Sequence, residues 1–139
     1  MTDDQVYITE TGEEMVMASR SDGMGISALK NAGLKLLILS KERNPVVTKR
    51  AEKLQIEVIQ SCDNKLEALT EWLSKNQLPL SQCAYVGNDI NDLQCMQAVR
   101  LAIAPIDAHP VAAQAAHWRL TRAGGKGAIR ELSDAIINR

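Results

Sequence analysis

The chain has 139 residues, of which 45% are hydrophobic and 24% charged, and its formal net charge is −1. This length and composition fit one globular domain with a substantial core and exclude a disordered chain. Aromatic residues make up only 3% of the chain, and no basic cluster is interleaved with them, so we expect no nucleic acid partner. No apolar run approaches the length of a membrane span, so we expect no membrane partner either.

The cysteines indicate a reducing compartment. Cys62, Cys83 and Cys95 are odd in number and lack the spacing of a metal site, which favours reduced thiols over a disulfide framework. The N-terminal residues also lack the pattern of a secretory signal. We therefore expect a cytoplasmic protein.

The first predicted element is a β-hairpin over residues 5–18, where two apolar stretches flank Thr11-Gly12-Glu13. From residue 22 to 139, extended and helical patterns alternate. The predicted strands cover 34–39, 56–59, 83–86, 101–104 and 118–120. This alternation predicts an α/β fold with a parallel central sheet and helices on both faces, a three-layer α/β/α sandwich, in a single domain over residues 1–139.

A polar group lies directly after the predicted strand that ends at Val86. Gly87 breaks the apolar run, and Asn88, Asp89 and Asp92 come next. Ligands of open α/β sheets bind outside the carboxyl ends of the strands, and carboxylate and amide oxygens suit a hard cation such as Mg²⁺. The alternative, which stays open, is that Asp89 only caps the next helix.

Two further polar residues lie at element ends. Ser40 comes after the strand over 34–39, and Lys65 begins a predicted helix. A hydroxyl donor, a fixed positive charge and a divalent ion together form a phosphate site. Taken separately, a serine at a strand end is usually a turn residue and a lysine at a helix start is usually solvated.

Several segments together resemble one enzyme family. The chain is similar to the haloacid dehalogenase superfamily of phosphohydrolases, which has a Rossmann-like fold, and within it to the capless branch of 3-deoxy-D-manno-octulosonate 8-phosphate phosphatase. The resemblance is greatest to the phosphatase-like C-terminal domain fused to some CMP-sialic acid synthetases (acylneuraminate cytidylyltransferases). The segments that carry it are 20–26, 37–42, 63–65, 84–92, 107–110 and 124–131.

The resemblance implies roles for individual residues. Ser40 corresponds to the hydroxyl that binds phosphate and Lys65 to the lysine that steadies the phosphoryl group, and both are expected to be catalytic. Asn88, Asp89 and Asp92 correspond to the Mg²⁺ ligands, although Asn88 is an amide where the family usually has a carboxylate. The residues expected to bind substrate are Ser40, Lys41, Arg20, Asp22, Gly23, Lys126 and Arg130.

The resemblance also implies a phosphorylated ulosonic sugar acid as substrate, Mg²⁺ as cofactor and a homotetramer to which the hairpin contributes. For Lys126 and Arg130 an ordinary hinge before a helix is an equally weighted interpretation. For the hairpin, packing on its own domain is the alternative to association.

One family feature does not occur in the sequence. Members begin with a strand ending in Asp-x-Asp-Gly-Val, whose first Asp is the nucleophile and whose second is the general acid/base. Met1-Thr2-Asp3-Asp4 matches only the residues that come after this motif in the family. Asp3 and Asp4 are paired carboxylates, but they align after the catalytic pair. Two functions therefore remain open: a phosphatase whose catalysis is impaired in these residues, and a catalytically silent tetramerisation domain associated with a CMP-sialic acid synthetase.

Overall fold

The N-terminal region forms the predicted hairpin. In the computed structural model, which describes residues 2–138, β1 (Val6–Ile8) pairs antiparallel with β2 (Glu14–Val16), and Val6 lies opposite Val16. The apolar side chains of the hairpin are unusually exposed, with Tyr7 at 66% and Ile8 at 67% of full exposure. The hairpin therefore protrudes from the core rather than packing into it.

Helices and strands alternate after the hairpin, as the sequence predicts. The helices are α1 (Arg20–Asn31), α2 (Val46–Leu54), α3 (Lys65–Lys75), α4 (Leu93–Ala98), α5 (Pro110–Ala115) and α6 (Ala128–Ile137). The strands are β3 (Leu37–Leu39), β4 (Glu57–Ile59), β5 (Ala84–Val86), β6 (Leu101–Ala104) and β7 (Trp118–Arg119). Short 3-10 turns cover Leu80–Gln82 and Ile90–Asp92.

The parallel sheet is divided into two parts. β3 pairs with β4, while β5, β6 and β7 form a separate sheet, and every pairing in both parts is parallel. Among residues 2–138, no strand pairs with the second edge of β3 or of β5. The strand predicted over 34–39 is shorter than expected: it begins at Leu37 and pairs with β4 at three positions.

Two apolar clusters show the three layers. On one face of the sheet, Ala102 and Ala104 of β6 pack with α3, α4 and α5. On the other face, Ile103 packs with Leu120 and α6. Successive residues of a strand point to opposite faces, so β6 supplies both layers of the core. The predicted α/β/α architecture is confirmed.

α1 and α6 cross closely on one face of the sheet. The fully buried Asp22 accepts a hydrogen bond at its Oδ1 from the backbone N–H of Arg130, at 3.1 Å. A Cβ placed on Gly25 would lie 2.9 Å from the Cα of Arg130, so only glycine permits this approach. No helix within residues 2–138 is long and apolar enough to span a membrane.

Candidate active site at the carboxyl ends of the strands

A cavity of about 620 Å³ lies between the two parts of the sheet. β3 and β5 line its sides, and apolar residues of α1, α3 and α6 cover its faces. At the end where the strands terminate, the lining becomes polar. The polar lining residues there are Thr2, Asp4, Asn88 and Asp107. The cavity thus joins an apolar slot to the edge of the sheet where ligands of α/β folds bind.

Asp92 is the centre of a buried hydrogen-bond network at this edge. Its Oδ1 accepts from the Lys65 ammonium at 2.7 Å and from the Tyr85 hydroxyl at 2.8 Å. Its Oδ2 accepts from the backbone N–H groups of Asn88 at 3.0 Å and Asp89 at 3.3 Å. Because both oxygens already have protein partners, Asp92 orients Lys65 and the loop after β5, and its predicted role as a direct metal ligand stays a prediction.

Asn88 lines the polar end of the cavity, and Asp89 follows it in the same loop. The Asp89 side chain accepts a hydrogen bond from the backbone N–H of Ile90 and forms a capping box with Asp92, so Asp89 caps the turn over Ile90–Asp92. Asp89 is nevertheless exposed, and Asn88 is only half-buried. The backbone carbonyl of Asn88 accepts from His109 N–H at 2.8 Å, which holds the loop against α5.

An unexpected acidic neighbour is Asp4. Its carboxylate accepts a hydrogen bond from the side-chain amide of Asn88. Partial burial raises the pKa of Asp4, and the negative charges of Asp107 and Asp89 raise it further. Within residues 2–138, no group of three or more His, Cys, Asp and Glu side chains is arranged to hold a metal ion. The negative charge that Asn88 lacks is thus present next to it, on Asp4.

Ser40 lies at the end of β3, half-buried. Its backbone N–H donates to Ile59 O at 2.9 Å, and its Oγ accepts from the backbone N–H of Glu42 at 3.1 Å. The hydroxyl accepts in that bond, so its own proton can be donated to a ligand. Ser40 and Asn88 therefore come after the two strands that flank the cavity, while Lys65 is joined to the Asn88 loop through Asp92.

Comparisons with known proteins decide the family. The sequence model of haloacid dehalogenase-like hydrolases matches residues 26–131. The chain belongs to this family. It is 35% identical to 3-deoxy-D-manno-octulosonate 8-phosphate phosphatase KdsC of Yersinia pestis over 138 residues, which covers 99% of this chain and 74% of that protein.

Two further proteins are similar over nearly the whole chain. The chain is 32% identical to N-acylneuraminate cytidylyltransferase A of Danio rerio, and the match covers 99% of the chain but only 32% of that protein, so the chain spans about a third of that relative. A crystal structure of 3-deoxy-D-manno-octulosonate 8-phosphate phosphatase from Moraxella catarrhalis, in complex with magnesium, phosphate and KDO, superposes with a TM-score of 0.94 at 32% identity. That match covers 99% of this chain and 79% of the other.

The haloacid dehalogenase-like fold places the other predicted substrate-binding residues in different environments. Arg20 and Lys41 are exposed. Asp22 and Gly23 are buried in the first turn of α1, and the Oδ2 of Asp22 has no hydrogen-bond partner among residues 2–138. Nothing in these contacts links Asp22 to the polar end of the cavity, and its substrate role stays a prediction.

Lys126 and Arg130 already have acidic partners. The Lys126 ammonium lies 3.4 Å from Asp3 Oδ2; a hydrogen bond from Gln5 N–H, together with this contact, lowers the pKa of Asp3. The Arg130 guanidinium pairs with Asp134 at 2.8 Å. Lys126 is therefore held beside the N-terminal residues near the cavity, whereas Arg130 extends along the surface of its own helix.

Tyr85 is a site residue that the sequence patterns do not single out. Its aromatic ring is buried in the core, and its hydroxyl contacts Asp92. Burial, together with the charge of Asp92 and the hydrogen bond to it, raises the pKa of Tyr85 far above its usual value, so the hydroxyl stays a donor. The signal in the sequence is a tyrosine at a core position of a strand, seven residues before an aspartate.

Cys95 makes the stability of the fold sensitive to high pH. Burial raises the pKa of the fully buried Cys95 thiol from about 9 to about 11. The stability that this thiol contributes is present below pH 9 and is lost as pH rises through 11, because the unfolded chain ionises first. We expect the free energy of unfolding to fall by up to about 1.4 kcal/mol per pH unit in this window.

Urea denaturation at pH 7.5, 9 and 10 tests this expectation. In the Cys95→Ala variant the fall above pH 9 should be smaller than in the unaltered chain, even though the variant is less stable at every pH. An equal fall in both chains would show that another group causes it.

Proposed function

We propose that the chain is a domain of a Mg²⁺-dependent phosphatase that acts on a phosphorylated ulosonic sugar acid of the 3-deoxyoctulosonate or sialic acid type. The observation that carries the proposal is the position of Ser40, Asn88 and Asp89 directly after the two strands that flank the cavity. Lys65, at the start of α3, is joined to the Asn88 loop through Asp92. The similarity to 3-deoxy-D-manno-octulosonate 8-phosphate phosphatases supports the substrate class.

In this proposal Ser40 and Lys65 each contact the phosphoryl group. Ser40 donates a hydrogen bond from its hydroxyl to a phosphoryl oxygen, since its Oγ is the acceptor in the bond from Glu42 N–H and its O–H is left to donate. The Lys65 ammonium has three N–H donors, one of which donates a hydrogen bond to Asp92. Lys65 can therefore neutralise phosphate charge while Asp92 fixes its position. A positioned charge of this kind stabilises the transition state of phosphoryl transfer.

The residues around Asn88 fit a bound Mg²⁺ ion. Mg²⁺ keeps several waters and is usually held through one or two carboxylates together with substrate phosphate. The exposed Asp89 carboxylate, the side-chain oxygen of Asn88 and the nearby Asp4 carboxylate are the candidate ligands. When bound, the ion would neutralise phosphate charge and polarise a phosphoryl oxygen.

We expect the 139 residues alone to hydrolyse a phosphate ester slowly. Family chemistry uses an aspartyl nucleophile, and the 139 residues contain no Asp-x-Asp pair after a strand. Asp4 lies next to Asn88, but its backbone is in the left-handed region, with φ of 60°, and no strand precedes it among residues 2–138. Asp4 is therefore proposed as a neighbour of the metal rather than as the nucleophile.

Release of inorganic phosphate from 3-deoxy-D-manno-octulosonate 8-phosphate and from sialic acid 9-phosphate tests this function. We expect slow release that requires Mg²⁺, disappears with EDTA, and falls at least tenfold in Asp89→Asn and Ser40→Ala. Glu71→Gln is the matched control for the loss of one charge, because Glu71 is exposed on α3. Release that is equal in Asp89→Asn and in the unaltered chain would count against a phosphatase site at these residues.

A second candidate, a catalytically silent tetramerisation domain associated with a CMP-sialic acid synthetase, is favoured by the hairpin. Val6, Tyr7, Ile8, Met15 and Met17 are each at least 45% exposed. Contiguous exposed apolar residues of this kind mark association surfaces. Sedimentation of the unaltered chain and of Tyr7→Lys decides this point: a tetramer that dissociates in the variant, together with no phosphate release, supports the scaffold, and a monomer contradicts it.

A further inference from the structure

The fully buried side chain of Asp22, on α1, makes its one hydrogen bond among residues 2–138 to a different helix. Its Oδ1 accepts from the backbone N–H of Arg130 at 3.1 Å, across 108 positions of the chain, while its Oδ2 has no partner there. Burial of a polar group is costly unless a hydrogen bond compensates for it. The bond to α6 is therefore the contact that explains a carboxyl group at this position.

Asp22 serves as the N-cap side chain of α6. Gly127 is the N-cap residue of this helix, with φ of 97°, and it has no side chain that could accept from the first N–H groups. A helix leaves its first four N–H groups unpaired, and an N-cap side chain usually accepts from the second or the third. Arg130 is the third residue of α6, so Asp22 supplies from α1 the acceptor that Gly127 lacks.

The chain before α6 is held at its other end by a second carboxylate. Gly124 N–H donates to Asp107 Oδ1 at 2.9 Å. Gly124 and Ala128 line the cavity, and Asp107 lies at its polar end. The loop over residues 124–127 is therefore fixed at both ends beside the candidate active site, by Asp107 at its start and, through α6, by Asp22 at its end.

This loop depends on its anchors because of its composition. Residues 124–127 are Gly-Gly-Lys-Gly, and Gly125 and Gly127 have φ of 67° and 97°. Glycine has more backbone conformations open to it than other residues have, so the loop sequence alone does not fix the position of the Lys126 side chain. The two carboxyl groups supply the constraint that the loop sequence lacks.

We propose that Asp22 is a positioning residue: it fixes the first turn of α6 and thereby holds Lys126 where its ammonium binds an anionic ligand of the candidate active site. The inference rests on the proposed function, because the ligand is taken to be the phosphorylated sugar acid. The Lys126 side chain is 56% exposed, and its ammonium, which lies 3.4 Å from Asp3 Oδ2, has further N–H donors for a second anion. Asp22 itself contacts α6, so it acts on the ligand only through this loop.

Backbone order measured by NMR tests the positioning step without any ligand. In Asp22→Ala we expect the order parameters of residues 125–130 to fall from about 0.85, the value of rigid backbone, toward about 0.6. Asp22→Asn keeps an oxygen that can accept from Arg130 N–H, so it should retain the order of the loop. Asp134→Ala is the matched control on α6, because Asp134 pairs with the Arg130 side chain instead of its backbone. Unchanged order in Asp22→Ala would overturn the proposal.

Ligand affinity tests the consequence for the site. With Mg²⁺ present, Asp22→Ala should raise the Kd for 3-deoxy-D-manno-octulosonate 8-phosphate about fivefold, the factor by which loss of an N-cap side chain typically weakens a helix. Binding must then order the loop that Asp22 no longer holds. The Kd for inorganic phosphate should stay unchanged, because in the proposed function Ser40 and Lys65 bind it. In Lys126→Met the Kd for the sugar phosphate should already be raised, and adding Asp22→Ala should raise it no further.

The possible outcomes separate this inference from the proposed function. An equal rise in Kd for both ligands, or a further rise in the double variant, would mean that Asp22 supports the whole fold and would overturn the proposal. Lys126→Met changes an exposed side chain and is expected to fold, so an unchanged Kd for the sugar phosphate in this variant would overturn it as well. A chain that binds neither ligand would contradict the proposed function and the ligand role of Lys126, and the order parameters would still decide whether Asp22 holds the loop.

Discussion

Replacement of Asp92 by alanine is expected to destabilise the fold by about 3–5 kcal/mol. The substitution leaves the Lys65 ammonium, in a residue that is only 9% exposed, without its anion, and it removes the acceptor of the Tyr85 hydroxyl. The backbone N–H groups of Asn88 and Asp89 lose their acceptor as well. Urea denaturation measures the loss.

A surface pair in the same chain serves as the control. Asp134 pairs with Arg130, and both side chains are nearly half exposed, at 48% and 45%. Exposed pairs contribute about 0.2–1 kcal/mol, so Asp134→Ala should have a small effect. Removing both buried charges, in Asp92→Ala with Lys65→Met, should restore part of the stability. A cost below about 1 kcal/mol for Asp92→Ala would contradict a buried network centred on Asp92.

Gly25→Ala is expected to destabilise the chain by about 1–3 kcal/mol, which is the cost of overpacking. At an exposed position inside a helix the same change would stabilise by up to about 1 kcal/mol. Here the new Cβ lies 2.9 Å from Arg130 Cα and 3.0 Å from Ile129 O. Both are backbone atoms in the first turn of α6, so α1 and α6 must move apart.

Gly23→Ala in the same helix is the matched control. Its Cβ would lie 2.8 Å from Nη2 of Arg50, the end of a long side chain. That guanidinium can shift, although it would weaken the 2.8 Å hydrogen bond from Arg50 to Ser19 O. Thermal unfolding should therefore show a larger loss for Gly25→Ala than for Gly23→Ala. A gain in stability at Gly25 would mean that the helices are not in close contact there.

The sequence predicts the architecture well because local patterns determine it. Alternating strands and helices give the three layers, and the turn at Thr11-Gly12-Glu13 gives the hairpin. Local patterns do not determine the division of the sheet into two parts. The apolar pattern of β3 or β5 carries no information about what pairs with each edge. The family resemblance does indicate it, because the strand that ends in Asp-x-Asp in the family does not occur in these residues.

The sequence predicts only part of the site, because local patterns indicate only residues that are close together in the chain. Asn88, Asp89 and Asp92 are close in sequence, and their common location is a consequence of the strand end. The contact between Asn88 and Asp4 joins residues 84 positions apart, and no local pattern indicates it. The involvement of Tyr85 depends on the direction of a hydroxyl inside the core, which hydrophobic periodicity treats as apolar.

The most direct test of a phosphate and metal site is a titration with inorganic phosphate, with and without Mg²⁺, monitored through the amide NMR signals of the chain. We predict Mg²⁺-dependent shifts at Ser40, Lys65, Asn88 and Asp89, which Asp89→Asn abolishes and Glu71→Gln leaves unchanged. Phosphate binding without any shift at these four amides, or no binding at millimolar phosphate and Mg²⁺, would contradict a phosphate and metal site at this edge of the sheet.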